Sequence, residues 1–162
     1  MRSTATDSPR RFTVLTLVLY WTCTLSGLAI PWIATIAVDM AKHDQSLAGA
    51  VRQLRLHLFA PGYNLFIIAL INAMPFMVFA VFLLFHLGRA PMDDRTLRGR
   101  RSAGVLMTVI GLVAFSLWTH LSTLWQADAQ AALAYLFLPF LLLLLIPICY
   151  ASGRALFTLV FR

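Results

Sequence analysis

Four long apolar runs limit the possible folds of this chain more than any other feature of its sequence. They cover residues 12–38, 63–87, 102–127 and 131–153, and none of them contains Asp, Glu, Lys or Arg. Each run is long enough for a membrane-spanning α-helix, which needs about 20 apolar residues. Only 12% of the chain is charged, whereas soluble domains contain roughly 25% charged residues. The sequence therefore predicts an integral membrane protein.

An arginine-rich segment, residues 89–101, separates the second apolar run from the third. It holds five of the thirteen Lys and Arg residues of the chain. Because short loops rich in Lys and Arg stay on the cytoplasmic side, this segment fixes the direction of every span. Ten basic residues are then cytoplasmic and three are external: Arg2, Arg10, Arg11, Arg89, Arg95, Arg98, Arg100, Arg101, Arg154 and Arg162 inside, and Lys42, Arg52 and Arg55 outside. We predict a multi-pass protein of the bacterial inner membrane with both termini cytoplasmic, residues 1–10 forming a short mobile tail.

The connections between the runs predict how the spans pack. One short inner connection and one short outer connection favour antiparallel neighbours. The predicted fold class is therefore all-α, an integral membrane antiparallel four-helix bundle that forms a single membrane domain over residues 1–162. The net charge of +7 does not indicate nucleic acid, because the charges are segregated into the connections between apolar runs.

The external segment, residues 39–62, contains a pattern typical of a short amphipathic helix. Leu47, Val51, Leu54 and Leu58 recur at the spacing of one helix face. Asp44 or Ser46 is a candidate N-cap, and Pro61-Gly62 is a candidate stop signal. This helix lies either in the outer headgroup layer or as a lid over the mouth of the bundle.

Polar residues and glycines inside the spans predict helix contacts. Pro75 frees a carbonyl near residue 71, and Asn72 lies beside it, which favours a kink that Asn72 satisfies over a ligand role. An Asn at this depth also requires a hydrogen-bond partner, most simply on a neighbouring helix. Gly104 and Gly111 share a face on which another helix can approach closely. Trp118, His120 and Trp125 are expected at the outer interface, where amphipathic rings prefer to lie.

The histidines and cysteines of the sequence give little indication of a cofactor site. His86 and His120 lie at opposite ends of their spans, so one haem iron cannot bind both, although His120 could pair with His43 or His57. Cys23 and Cys149 differ in depth and form no Cys-x-x-Cys pair, so both are expected to be buried apolar residues. We predict no cofactor and no metal.

The small number of acidic residues and their positions argue against several further classes of protein. The chain has no glutamate, and no aspartate lies inside a span. A transporter driven by an intramembrane carboxylate is therefore not expected, and neither is an aspartyl membrane protease. The chain contains no nucleophile elbow, phosphate-binding loop or zinc-protease motif. We predict that the protein is not an enzyme and has no catalytic residue.

The arginine-rich segment is the remaining candidate site. Its predicted contact residues for a partner or for lipid are Arg89, Arg95, Leu97, Arg98, Arg100 and Arg101. Each arginine near an anionic membrane surface contributes about 1 kcal/mol of attraction. The segment is therefore either a topology anchor that touches anionic lipid or a docking surface for a cytoplasmic protein. The expected partners are membrane lipids and a protein partner or a second copy of the chain, without nucleic acid.

The same segment resembles a family of small four-helix bacterial membrane proteins called domain of unknown function 2975. The resemblance is carried by Leu83-Leu84-Phe85-His86-Leu87, by Ala90-Pro91-Met92-Asp93-Asp94-Arg95-Thr96-Leu97-Arg98 and by Gly104 at the start of the next span. It covers about 82–113 and the four-span layout, with Thr96 at a position where the family usually has Asn. The resemblance implies the architecture. It also implies a signalling or accessory role, because family members are often encoded beside a small helix-turn-helix regulator.

Three functional hypotheses follow from the sequence. The first is a non-enzymatic inner-membrane accessory or regulatory protein that acts through protein or lipid contacts. The second is an immunity protein against a membrane-targeted toxin, because such a protein needs only to bind and block within the bilayer. The third is a haem- or quinone-binding redox subunit that uses the outer histidines.

Overall fold

A computed structural model describes residues 8–61, 64–88, 95–126 and 131–160. These residues form five α-helices: α1 Ser8–Lys42, α2 Leu47–His57, α3 Leu65–Gly88, α4 Arg95–Gln126 and α5 Ala131–Val160. By length and composition, every helix except α2 can cross a membrane. The prediction of a helical protein with four long apolar helices is therefore confirmed.

Three helices extend further than the apolar runs predict. α1 begins at Ser8, so the prediction of a tail that continues to residue 10 is wrong. Pro9 is compatible with this start, because a proline in the first turn lacks an N–H that would have no helical partner anyway. α4 begins at Arg95 rather than at residue 102, and α5 continues to Val160. Arginine, leucine and alanine are strong helix formers, so the helices continue beyond the apolar runs.

The long helices pack as two pairs that also contact each other. α1 packs mainly against α3, and α4 packs mainly against α5, while α1 also contacts α4 and α3 contacts α5. Gly99 lies against Phe157 and Gly111 lies against Cys149, so α4 and α5 run in opposite directions.

Glycines allow the close approach of α4 and α5. A Cβ atom added at Gly111 would lie 2.5 Å from Cys149 Sγ, and one added at Gly153 would lie 2.5 Å from the Ala103 carbonyl oxygen. One added at Gly104 would lie 2.8 Å from the Tyr150 ring. The predicted close approach at Gly104 and Gly111 is therefore confirmed, and its partner is α5.

Large apolar side chains fill the centre and also cover the outside of the helices. The largest buried ones are Phe76, Phe79, Leu65, Leu83, Leu112, Leu138 and Leu142. Outward-facing leucine and phenylalanine side chains are also numerous, and Phe140 and Leu144 are more than half exposed. An apolar exterior of this extent is typical of a surface that contacts lipid or another protein.

The external segment forms α2, which packs against α1. Ser46, rather than Asp44, caps the helix, because its hydroxyl accepts a hydrogen bond from the Gly49 N–H at 3.2 Å. The helix ends at His57, before the predicted stop at Pro61-Gly62. Leu47 is 59% exposed and Ala50 is fully buried, so Leu47 does not belong to the packed face. The position of α2 in the headgroup layer, like the alternative of a lid, stays a prediction.

Candidate functional site

The predicted contact residues lie where α4 begins. Arg89 lies outside the described residues, and only the backbone of Arg95 is described. Leu97, Arg100 and Arg101 are partly buried, and Arg98 is exposed. Because α4 begins at Arg95, these side chains project from its first two turns rather than from a loop.

Arg154 of α5 lies beside these arginines, because Gly99 packs against Phe157 and Gly104 packs against Tyr150. Arg98, Arg100, Arg101 and Arg154 are called the arginine end below. Within the described ranges the only carboxylates belong to Asp39 and Asp44, which lie near the end of α1 beside α2. Asp93 and Asp94 fall outside those ranges. The described part of the arginine end is therefore strongly basic.

A polar and aromatic cluster connects α3, α4 and α5 at the arginine end. The Tyr150 hydroxyl and His86 Nε2 lie 2.5 Å apart. Arg101 Nη1 donates a hydrogen bond of 3.4 Å to the His86 carbonyl oxygen near the end of α3. That carbonyl group carries the partial negative charge of a helix C-terminus, which favours a cation.

Aromatic contacts hold the same cluster in place. Phe82 stacks on the His86 ring at a centroid distance of 4.9 Å and contacts the edge of Tyr150 at 5.6 Å. The Arg154 guanidinium carbon lies 5.8 Å from the centre of the Tyr150 ring, within the range of a cation–π contact. The sequence did not reveal this cluster, because His86 and Tyr150 lie on different helices and 64 residues apart. The one available signal was a histidine at the basic end of a span.

A cavity of about 320 Å³ opens between α4 and α5 at the arginine end. Its lining residues are Arg100, Tyr150, Ala151, Arg154, Ala155 and Thr158. Arg100 Nε is buried and has no hydrogen-bond partner among the described residues. Buried polar groups normally have a partner, so this nitrogen is an exception, and it belongs to a side chain that lines a basic cavity.

A second polar group connects α1, α3 and α4 in the apolar interior. Asn72 Nδ2 donates a hydrogen bond of 2.6 Å to the Gly27 carbonyl oxygen, and the Ser116 hydroxyl donates one of 2.8 Å to Asn72 Oδ1. Pro31 lacks the N–H that would otherwise bind the Gly27 carbonyl four residues earlier in α1. The prediction that Asn72 binds a neighbouring helix is confirmed. Its partner is the carbonyl freed by Pro31 rather than the one freed by Pro75.

The His120 side chain is buried between helices, unlike the two tryptophans near it on α4. Its side chain is 1% exposed, whereas those of Trp118 and Trp125 are 66% and 52% exposed. His120 Nδ1 lies 2.8 Å from the Ser116 carbonyl oxygen. Because a carbonyl oxygen can only accept, Nδ1 carries a proton in this bond, and in a neutral ring Nε2 is then an acceptor. A hydrogen bond within α4 thus holds the ring inside the helix packing, and the position of His120 at the depth of the outer interface stays a prediction.

A larger cavity of about 460 Å³ lies beside His120. Its lining residues are Ile68, Ile71, Asn72, Met74, His120, Tyr135, Leu136, Leu138, Pro139, Phe140 and Leu143. The rings of His120 and Tyr135 are 5.2 Å apart, and His120 Nε2 has no hydrogen-bond partner among the described residues. The cavity is thus an apolar space with a few polar groups on one wall.

The other candidate residues do not form a joint site. His86 belongs to the arginine end and His120 to the apolar interior, so the structure does not bring them together. Cys23 and Cys149 are both free thiols, with Cys23 buried and Cys149 partly buried beside Gly111. In the described part of the chain, no group of three or more His, Cys, Asp or Glu side chains is close enough to hold a metal ion.

The fold places the chain in a class of proteins. It is a helical protein, and its four long apolar helices are typical of a multi-pass membrane protein. Comparisons with protein-family models, curated proteins and solved structures find no match to this chain. The resemblance to domain of unknown function 2975 stays a prediction.

Proposed function

We propose that the chain is a non-enzymatic accessory or regulatory protein of the bacterial inner membrane, which acts through protein or lipid contacts. In this proposal four antiparallel spans cross the bilayer, and α2 lies on the external side. Both termini and the arginine end face the cytoplasm. The single observation that carries the proposal is the concentration of arginine side chains at one end of the helices.

The position of the arginines supports a contact surface rather than a reaction centre. Arg98 is exposed, and Leu97 beside it is partly buried. An exposed cation next to an apolar side chain, on the first turns of a packed helix, offers both charge and apolar area to a partner. The orientation of this end toward the cytoplasm is supported by the excess of basic residues predicted on that side, ten against three.

Hydrogen bonds of polar side chains within the spans also support a non-enzymatic role. Thr24, Thr35, Thr108 and Thr119 each donate to the carbonyl oxygen four residues earlier in the same helix. Such bonds make hydroxyl groups compatible with an apolar environment. Asn72 holds three helices together. The role of these polar side chains is therefore to stabilise the helices and their packing.

Photo-crosslinking in native membranes tests this proposal. A photoreactive amino acid replaces Arg98, and the matched control carries it in place of Arg52 on α2. We expect a discrete protein adduct from position 98, identified by mass spectrometry, and none of the same mass from position 52. The same adduct from both positions, or no adduct from position 98, would contradict docking of a protein at the arginine end. A stoichiometric cofactor or catalytic turnover in the purified protein would overturn the non-enzymatic role.

Leu97 allows a separate test of contact against folding. Leu97→Ser should reduce the yield of the position-98 adduct several-fold while lowering the melting temperature less than Leu112→Ser does. Leu112 is fully buried, so its substitution places an unpaired hydroxyl in the core. An equal loss of stability in the two variants would show that Leu97 is a core residue rather than a contact residue.

The cavity beside His120 supports a second candidate function, a redox subunit that binds a quinone-like ligand. Its volume of about 460 Å³ falls in the usual range for small-molecule sites, roughly 300–1,000 Å³. The Nε2 lone pair of His120 would accept a hydrogen bond from a hydroxyl group of the reduced ligand. Solvent extraction of purified protein, with analysis by mass spectrometry, should then yield a lipid-soluble quinone that His120→Leu protein lacks. Equal yields from both proteins would exclude this candidate.

A further inference from the structure

We propose that the cavity between α4 and α5 at the arginine end binds the phosphodiester group of an anionic lipid headgroup, with Arg100 and Arg154 as the groups that contact it. This inference deepens the proposed function, because it rests on the membrane placement of that proposal and names the lipid class that would be bound. It adds two residues of α5, Arg154 and Tyr150, to a site that the sequence placed within residues 89–101 alone.

The chemistry of the cavity wall indicates an anionic ligand. Two guanidinium groups, from Arg100 and Arg154, line a space of about 320 Å³. Arg100 Nε is buried and has no hydrogen-bond partner among the described residues, so it would gain a bond if the side chain turned toward a ligand oxygen. Guanidinium groups bind phosphate oxygens through paired N–H donors more readily than ammonium groups do.

Neighbouring contacts fix the geometry of the site. Arg154 lies over the face of Tyr150, and the Tyr150 hydroxyl is held by His86. Arg101 Nη1 is engaged with the His86 carbonyl oxygen and Arg101 does not line the cavity, so it contributes charge rather than a direct contact. Close packing of Gly99 against Phe157 keeps the first turn of α4 beside the last turns of α5.

The surroundings of the cavity favour a lipid over a free phosphate ion. Leu156, Leu159 and Val160 of α5 are 50%, 69% and 70% exposed. These apolar side chains lie on the same helix as Arg154 and within six residues of it, so a lipid whose headgroup is in the cavity has an exposed apolar surface nearby for its acyl chains. A phospholipid has both parts, whereas inorganic phosphate has only the first. Basic pockets between spans on the cytoplasmic side are known to bind anionic headgroups.

Native mass spectrometry of the full chain in a neutral detergent tests the inference. The protein is titrated with phosphatidylglycerol, with phosphatidylcholine of the same acyl chains, and with inorganic phosphate in place of lipid. We expect phosphatidylglycerol to bind about thirtyfold more tightly than phosphatidylcholine, the size expected for two arginine contacts. Arg100→Gln/Arg154→Gln protein should lose this preference, while Arg52→Gln/Arg55→Gln protein, which loses the same charge from α2, should keep it.

The single variant Arg154→Gln is a second test that does not depend on how the double variant folds. Arg154 is exposed, so its substitution leaves the buried contacts of α4 intact. This variant should lose about half of the preference on a logarithmic scale. Equal affinity for both lipids, an unchanged preference in the double variant, or an equal loss in the Arg52/Arg55 control would overturn the inference. Displacement of the lipid by millimolar inorganic phosphate would assign the site to free phosphate instead. Loss of lipid preference would leave the position-98 protein adduct unaffected, so the two proposals can fail separately.

Discussion

Replacement of Asn72 by alanine tests whether one side chain compensates for the proline in α1. Asn72 Nδ2 donates to the Gly27 carbonyl oxygen at 2.6 Å, and Pro31 has no N–H to bind that oxygen. Asn72→Ala therefore leaves a buried carbonyl without a donor, which costs about 1–3 kcal/mol. Loss of the Ser116 bond adds roughly 0.6 kcal/mol, the mean for hydrogen bonds between membrane helices. We expect the free energy of unfolding to fall by about 2–3 kcal/mol.

The double variant Pro31→Ala/Asn72→Ala separates this mechanism from a general packing loss. Alanine at position 31 restores an N–H that can bind the Gly27 carbonyl within α1, so most of the carbonyl's penalty should disappear. Pro31→Ala alone should be neutral or stabilising, because a carbonyl oxygen can accept two hydrogen bonds. The expected coupling energy between the two substitutions is about 1–2 kcal/mol.

Reversible unfolding in mixed detergent micelles, followed by far-ultraviolet circular dichroism, measures all four proteins of this cycle. Ser116→Ala serves as a control, because it removes the second hydrogen bond of Asn72 but leaves the Gly27 carbonyl bound. Strict additivity of the Pro31 and Asn72 substitutions would refute the reasoning. So would a loss below about 0.5 kcal/mol for Asn72→Ala, since a surface substitution changes stability by that much.

Three further substitutions test other parts of the fold. Gly153→Leu should prevent stable packing of α4 against α5, because its Cβ would lie 2.5 Å from a backbone oxygen of Ala103; size-exclusion chromatography in detergent should show an aggregated or expanded protein. Tyr150→Phe removes the hydroxyl that binds His86 and should lower the unfolding free energy by about 1 kcal/mol, and an unchanged midpoint would show that the bond is not formed. Ser46→Ala removes the cap of α2 and should cost about 1 kcal/mol of local stability, seen as faster amide hydrogen exchange in α2 with no change in α4.

The sequence predicted the four long helices because membrane burial imposes a length and an apolar composition that can be read directly. It also predicted that Asn72 binds another helix, since an amide group has no alternative partner in an apolar interior. It named the wrong carbonyl, because Pro31 is distant in sequence and only the packing of α1 on α3 brings it close. The close approach at Gly104 and Gly111 was predictable from the spacing of the two glycines along one helix.

The candidate site was only half predictable. Arg98, Arg100 and Arg101 were apparent as a run of charge, but Arg154 and Tyr150 lie some 50 residues later in the chain, and periodicity does not pair the faces of different helices. Burial of the His120 ring was not predictable, because the hydrogen bond to Ser116 depends on the local rotamer. Three helices extend beyond the apolar runs, because the runs stop where lipid contact would stop, whereas the backbone hydrogen bonds continue.

The pairing of the helices has a consequence for biosynthesis. The most extensive contacts join α1 with α3 and α4 with α5. Because α1 and α3 both precede α4 in the chain, the first pair can assemble while α4 and α5 are still being made. During that interval the Asn72 amide nitrogen already has its acceptor in α1, whereas its oxygen waits for Ser116 to be translated. Co-expression of the two halves as separate polypeptides, divided within residues 89–94, should therefore yield a complex that purifies through a tag on either half.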